Sequence, residues 1–159
     1  MIRLVDIGHV LLRVLDVERS RKFYTEILGF EVMEEDPEHG GTFMALPGQA
    51  HTLDLFPIPD AEADERPTQG AIGVRHVAFR VESEAALRDA YFGLVDHEVP
   101  IIRAVDHVSQ KSIYFHDPDG NMLEIYYEHP GAREMFRQGR HDRDEPLVFE
   151  RSGLAEGTR

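Results

Sequence analysis

The chain contains no cysteine, which excludes disulfides, thiolate metal sites and a cysteine nucleophile. It has no apolar run near the ~20 residues that span a bilayer, and its N-terminal Met-Ile-Arg-Leu-Val-Asp lacks the pattern of a secretory signal. A cytoplasmic protein with no membrane partner is therefore expected. Positive charge is also scarce: 17 Lys and Arg stand against 30 Asp and Glu, a formal net charge of −13. That balance repels polyanions and excludes nucleic acid as an expected partner.

What is present suits one domain, or one domain made of two small halves. The 159 residues are 42% hydrophobic, and a chain of this length buries roughly two-thirds of its unfolded surface. Nine histidines are somewhat many for the length, and several lie in strand-like contexts.

The sequence also repeats itself. Residues 9–14 read His-Val-Leu-Leu-Arg-Val and residues 76–81 read His-Val-Ala-Phe-Arg-Val, 67 positions later. Each copy ends on a Leu-acid-apolar-aromatic run, Leu53-Asp54-Leu55-Phe56 and Leu123-Glu124-Ile125-Tyr126, here 70 positions apart. The stretches between them follow one order. In the first copy a strand over 7–14 precedes a helix from about Val17 to Leu28, capped by Asp16 and ended at Gly29. Strands follow over Phe30–Glu35, Thr42–Leu46 and His51–Phe56. Residues 57–73 carry three prolines, two glycines and four acids, and read as a linker. The second copy runs Val74–Val81 as strand, Ser83 as cap and Glu84–His97 as helix. Its strands are Ile101–Ala104, Ser112–Asp117 and Asn121–Tyr127, the last pair turning at Pro118-Asp119-Gly120. Beyond His129 the chain turns charged and irregular, and a tail over 129–159 is expected to be partly ordered, with a short helix near Ala132–Arg137.

Three residues carry the first chemical expectation. His9, His76 and Glu124 hold comparable positions on three strands of the duplicated pattern. Two imidazoles and one carboxylate with open positions suit Fe(II), and also Mn, Ni or Zn. A single strand histidine is more often a satisfied core residue; two at one register of a repeat, with a matching acid, reverse that weighting.

Asp117-Pro118-Asp119-Gly120-Asn121 followed by Leu123-Glu124-Ile125-Tyr126, together with the His-Val strand starts, resembles the vicinal oxygen chelate superfamily. That group spans extradiol catechol dioxygenases, glyoxalase I, fosfomycin-modifying enzymes, methylmalonyl-CoA epimerase and bleomycin-binding proteins. The resemblance covers residues 7–128. It implies an α+β fold of two paired βαβββ modules (4–56 and 74–128) forming a curved mixed sheet around a metal site, in one domain over 1–128. It further implies metal at His9, His76 and Glu124, and a homodimer.

Within that group, three polar residues point to ring-cleaving dioxygenases acting on a catechol-like vicinal diol with O₂ and Fe(II). Tyr114, ten residues before Glu124, is similar to the tyrosine that bonds a catechol oxygen. His107, in Asp106-His107-Val108-Ser109, resembles the histidine of an Asp-His-Gly-Val-Ser segment, with the glycine missing here. His51, in Ala50-His51-Thr52, is similar to a histidine placed near O₂, with Thr52 where the family carries aspartate. A histidine in such a place can stabilise developing negative charge or deliver a proton. Taken singly, each also reads as an ordinary strand or loop residue.

Asp54 carries the competing expectation. The glyoxalase and epimerase branches place a metal-ligating or proton-shuttling acid at its register, which would make the chain a metal-dependent isomerase or lyase. Aspartate is one methylene shorter than the glutamate expected there. A thiol transferase is less favoured, because no basic, Ser/Thr-rich phosphonate clamp is evident. A metal-free small-molecule binding or resistance protein is disfavoured by the complete ligand set.

Overall fold

A computed structural model describes residues 2–58, 72–139 and 144–151. The chain forms two compact units. One is Met1–Gly73 together with the loop Asp117–Gly120, and the other is Val74–His116 with Asn121–Arg159.

The first unit starts with β1 (Val10–Val14), then α1 (Val17–Lys22). The Asp16 side chain accepts from the Arg19 amide at 3.0 Å, and Glu18 lies in the first turn, where the helix dipole favours an acid. The expected helix to Leu28 exists in two parts, because Phe23–Ile27 widens into a π-helical turn. Phe23 and Tyr24 are adjacent in sequence and both buried, and the wider turn carries them together. Gly29 follows at φ 75°, and the Phe30 amide closes back on the Tyr24 carbonyl at 2.9 Å. Strands β2 (Glu31–Asp36), β3 (Gly41–Ala45) and β4 (Leu53–Pro57) complete a four-stranded sheet in the order β1-β4-β3-β2. The β1–β4 pair is parallel and the others antiparallel.

The second unit repeats this plan with β5 (Val77–Val81), α2 (Glu84–Asp96), β6 (Ile101–Asp106), β7 (Gln110–His116) and β8 (Met122–Glu128). Ser83 caps α2 by accepting from the Ala86 amide at 3.1 Å. Two elements extend the plan: α3 (Ala132–Gln138) and β9 (Glu145–Pro146), a short strand paired with β6. The sheet order is β5-β8-β7-β6-β9. The tail thus holds a strand as well as the expected helix. A two-residue strand has no period for a sequence to display.

Duplication reaches into the irregularities. Both units slip register at one place in their second and third strands, between Val32 and Glu34 and between Ile101 and Arg103. The bulged residues, Met33 and Ile102, are both exposed. In the first unit Leu11 pairs with Asp54, and in the second Ala78 pairs with Glu124, so each closing acid sits opposite the residue two beyond its histidine. Leu53 and Leu55 flank Asp54 in the core, as Leu123 and Ile125 flank Glu124. Strand alternation puts each acid on the opposite face from its apolar neighbours.

The Asp-Pro-x-Gly signature is structural. Asp119 accepts from the Leu15 amide, the Arg19 guanidinium and the Ser20 hydroxyl at 3.1, 2.8 and 2.9 Å. Asp117 accepts from the Tyr24 hydroxyl at 3.0 Å and from the Asp119 amide at 2.9 Å. Burial and the neighbouring Asp117 carboxylate push the Tyr24 phenol well above its usual range. Gly120 takes φ 83°, which a turn of this kind reserves for glycine. Among the described residues no helix is long and apolar enough to cross a membrane. His116 is exposed, and the expected linker falls largely on residues outside those described.

Candidate functional site

Each unit gathers an imidazole and a buried carboxylate at the same register, and the two constellations differ in what surrounds that pair.

In the second unit His76 immediately precedes β5, and its Nε2 lies 2.9 Å from Glu124 Oε2. Glu124 is 2% exposed. Its other oxygen accepts from Gln110 Nε2 at 2.9 Å, so both carboxylate oxygens have nitrogen neighbours. Gln110 also donates to the Ser112 hydroxyl at 3.1 Å. Across the β7–β8 ladder Tyr114 stands opposite Glu124. Its ring meets His76 edge to face at 5.7 Å, and the Arg103 guanidinium lies 4.4 Å from its centroid. Burial, with the Glu124 carboxylate adding to it, raises the Tyr114 phenol above its ordinary value, so the hydroxyl keeps its proton. That hydroxyl is 3.0 Å from His107 Nε2. The other His107 nitrogen, Nδ1, is 2.6 Å from Asp144 Oδ1.

In the first unit His9 precedes β1, with Nε2 3.7 Å from Asp54 Oδ2. The shorter aspartate leaves a longer gap than Glu124 leaves to His76. His51 fills it. Its Nε2 is hydrogen-bonded to Asp54 Oδ1, and its ring stacks on His9 at 4.3 Å with an 18° tilt. One donor atom from each of His9, His51 and Asp54 lies within 4.8 Å of the others, a group able to hold a divalent cation. Phe43 stands opposite Asp54 where the second unit has Tyr114, and its ring meets His51 edge to face at 5.7 Å.

The sequence-predicted residues therefore fall into two neighbourhoods. His51 lies with His9 and Asp54; His76, Glu124, Tyr114 and His107 are contiguous. Gln110 and Asp144 are members of the second neighbourhood that sequence reasoning did not find. Gln110 lies 14 residues from its partner across a hairpin, and Asp144 lies in a charged tail with no motif around it.

Residues 6–125 match the sequence model of the Glyoxalase/Bleomycin resistance protein/Dioxygenase superfamily. The chain belongs to that family. A biphenyl-2,3-diol 1,2-dioxygenase of Rhodococcus globerulus is 30% identical over 119 residues, which cover 75% of this chain and 61% of that enzyme. The chain thus spans less than two-thirds of that relative's length. A metallothiol transferase of Staphylococcus saprophyticus is 31% identical over 128 residues, covering 76% of each chain. A glyoxylase/bleomycin resistance protein/dioxygenase domain from Frankia superposes with a TM-score of 0.67 at 22% identity, over 80% of this chain and all of that one. This last likeness bears on the fold alone. Relatives at about 30% identity thus include both a dioxygenase and a transferase.

Proposed function

We propose that the protein is a metal-dependent extradiol-type dioxygenase that cleaves a catechol-like aromatic vicinal diol with O₂. The observation that carries this reading is the contiguous set His76, Glu124, Tyr114 and His107, in which a protonated phenol lies between a ligand pair and an imidazole. The donor chemistry fits a divalent ion. Glu124 is buried yet offers a carboxylate beside an imidazole nitrogen, which suits Fe(II), Mn, Ni or Zn. His76, Glu124 and His9 are the proposed ligands, as the resemblance implies, with Fe(II) the metal that suits oxygen chemistry.

When bound, the metal supplies chelation of a vicinal diol and electron exchange with O₂. The protein's own residues do the rest. Tyr114 presents its hydroxyl to a substrate oxygen and orients the ring. His107, hydrogen-bonded to that hydroxyl, takes up or returns the proton that the diol must lose. His51 delivers or withholds a proton where negative charge develops on oxygen, and Asp54 holds its Nε2.

Anaerobic reconstitution with Fe(II), followed by a panel of catechols and O₂, tests the reading. Oxygen uptake with a yellow ring-fission product is expected. No uptake across the panel, with metal bound stoichiometrically, would sink it.

One observation favours a second reading, a metal-dependent isomerase or lyase. Asp54 is 2% exposed and faces both His9 and His51, as a ligand or proton-transferring acid would. Under this reading, Asp54→Ala abolishes bound metal or exchange of a substrate proton with solvent. Under the dioxygenase reading it does neither. A homodimer, as the resemblance implies, predicts an elution mass near twice that of the chain.

A further inference from the structure

We propose that Asp144 is a positioning residue: it holds the His107 imidazole in the tautomer whose bare Nε2 faces the Tyr114 hydroxyl. The tail delivers it. In β9, Glu145 pairs with Asp106 and Pro146 with Val105, and the Leu147 amide donates to the Ala104 carbonyl at 3.0 Å. Carrying this antiparallel register on by one residue sets Asp144 opposite His107, close enough for side chains to meet. They do, at 2.6 Å between Oδ1 and Nδ1, the short distance of a charge-assisted bond.

The chemistry then follows from donor counting. A carboxylate only accepts, so Nδ1 carries the proton. In a neutral imidazole of this tautomer Nε2 is an acceptor, and the Tyr114 hydroxyl 3.0 Å away is the donor it would take. His107 is 7% exposed, which leaves water little chance to compete for either nitrogen. In water the opposite tautomer needs no such partner, so Asp144 favours the Nδ1–H form.

A second observation shows that His107 is held in place at a cost. The turn after it puts Val108 at φ 69°, a left-handed conformation that β-branched residues avoid. Three bonds secure the turn: the Val108 amide to Asp106 Oδ1 at 2.8 Å, the Ser109 amide to the His107 carbonyl at 2.8 Å, and the His107 amide to the Gln110 carbonyl at 2.8 Å. Backbone strain of this kind persists where the surroundings over-determine a position. Strand β9 and the strained turn thus act on the same imidazole, one from the side chain and one from the main chain.

The tautomer stands on geometry; its effect on turnover rests on the dioxygenase reading. Nitrogen-15 NMR of the full-length protein labelled at histidine separates the two. Neutral His107 with its proton on Nδ1 is expected in the wild type and in Asp144→Glu, and a shift toward the Nε2–H form in Asp144→Ala. Tyr114→Phe should leave the proton on Nδ1. Overturning results are Nε2–H or a doubly protonated ring in the wild type, or an unchanged tautomer in folded Asp144→Ala. Loss of the Nδ1–H form in Tyr114→Phe alone would likewise overturn the proposal, and that variant decides the matter if Asp144→Ala fails to fold. If the chain cleaves catechols, Asp144→Ala lowers kcat by about tenfold with KM nearly unchanged, and Asp144→Glu restores most of it. Absence of ring cleavage in every variant counts against the dioxygenase reading and leaves the NMR result standing.

Discussion

The two units share a fold, a bulge and a histidine–acid register, yet they surround that register with different side chains. In the second unit the acid is glutamate, the residue across the ladder is Tyr114, and the phenol continues into His107 and Asp144. In the first unit the acid is aspartate, the residue across the ladder is Phe43, and a second histidine stacks on the first. At the acid and at the residue across the ladder the arrangements differ by one methylene and one hydroxyl. The longer acid meets its histidine directly, whereas the shorter one meets His51 and lies farther from His9. A duplicated scaffold thus keeps its backbone and diverges at the few side chains that face the acid.

The comparison breaks most visibly at the acids. Glu124→Ala is expected to lower metal affinity by more than about a hundredfold, beyond what loss of an outer partner costs. Asp54→Ala should leave metal content near that of the wild type, as read by elemental analysis after gel filtration. Equal losses would make the units equivalent and favour the isomerase reading.

The next test concerns the aromatic pair. Tyr114→Phe makes the second unit resemble the first and should reduce ring cleavage by about a hundredfold, the scale of one acid–base contact. Phe43→Tyr, the reverse change, should leave turnover in the wild-type range, because no His107–Asp144 arrangement backs it. Steady-state oxygen uptake measures both.

Two stability changes sharpen the comparison at smaller scale. The Phe56 ring lies over Gly41, where an added Cβ would come within 2.5 Å of it, while the corresponding β7 position holds Ser112 without difficulty. Gly41→Ala should therefore destabilise by about 1–3 kcal/mol in denaturant titration. Val108→Gly works the other way. It releases left-handed strain of about 1–3 kcal/mol and pays part of it back in unfolded-chain entropy, for a net gain of about 1 kcal/mol. A rise in Tm of about 2–4 °C would register it. A lower Tm would mean that the valine side chain contributes more than its backbone costs.

Much of the fold was legible beforehand. The α+β order and the duplication follow from apolar runs with strand period, two helix caps and glycines at turns, and structure and family match agree with them. The π-helical turn was not legible, since Val17–Leu28 has ordinary helical composition and carries no local sign of the widening over Phe23–Ile27. Nor were the bulges at Met33 and Ile102, which depend on how two strands pair. At the site, His9, His76, Asp54 and Glu124 stood out because the repeat marks them, and His51, His107 and Tyr114 through the family resemblance. Gln110 and Asp144 did not, because a glutamine near a strand start and an aspartate in a charged tail carry no local signature.

The sequence by itself determined the repeat and the residue types available for chemistry, because these depend on periodicity and spacing along the chain, and its motifs carried the resemblance to the family. Tertiary structure alone decided which partner each acid takes, that β9 brings Asp144 to His107, and that Val108 bears the strain of the turn after His107. The physical reason is one of distance. A hydrogen bond reaches about 3 Å, and which groups come within it across 14 or 37 residues of chain is set by strand pairing and packing.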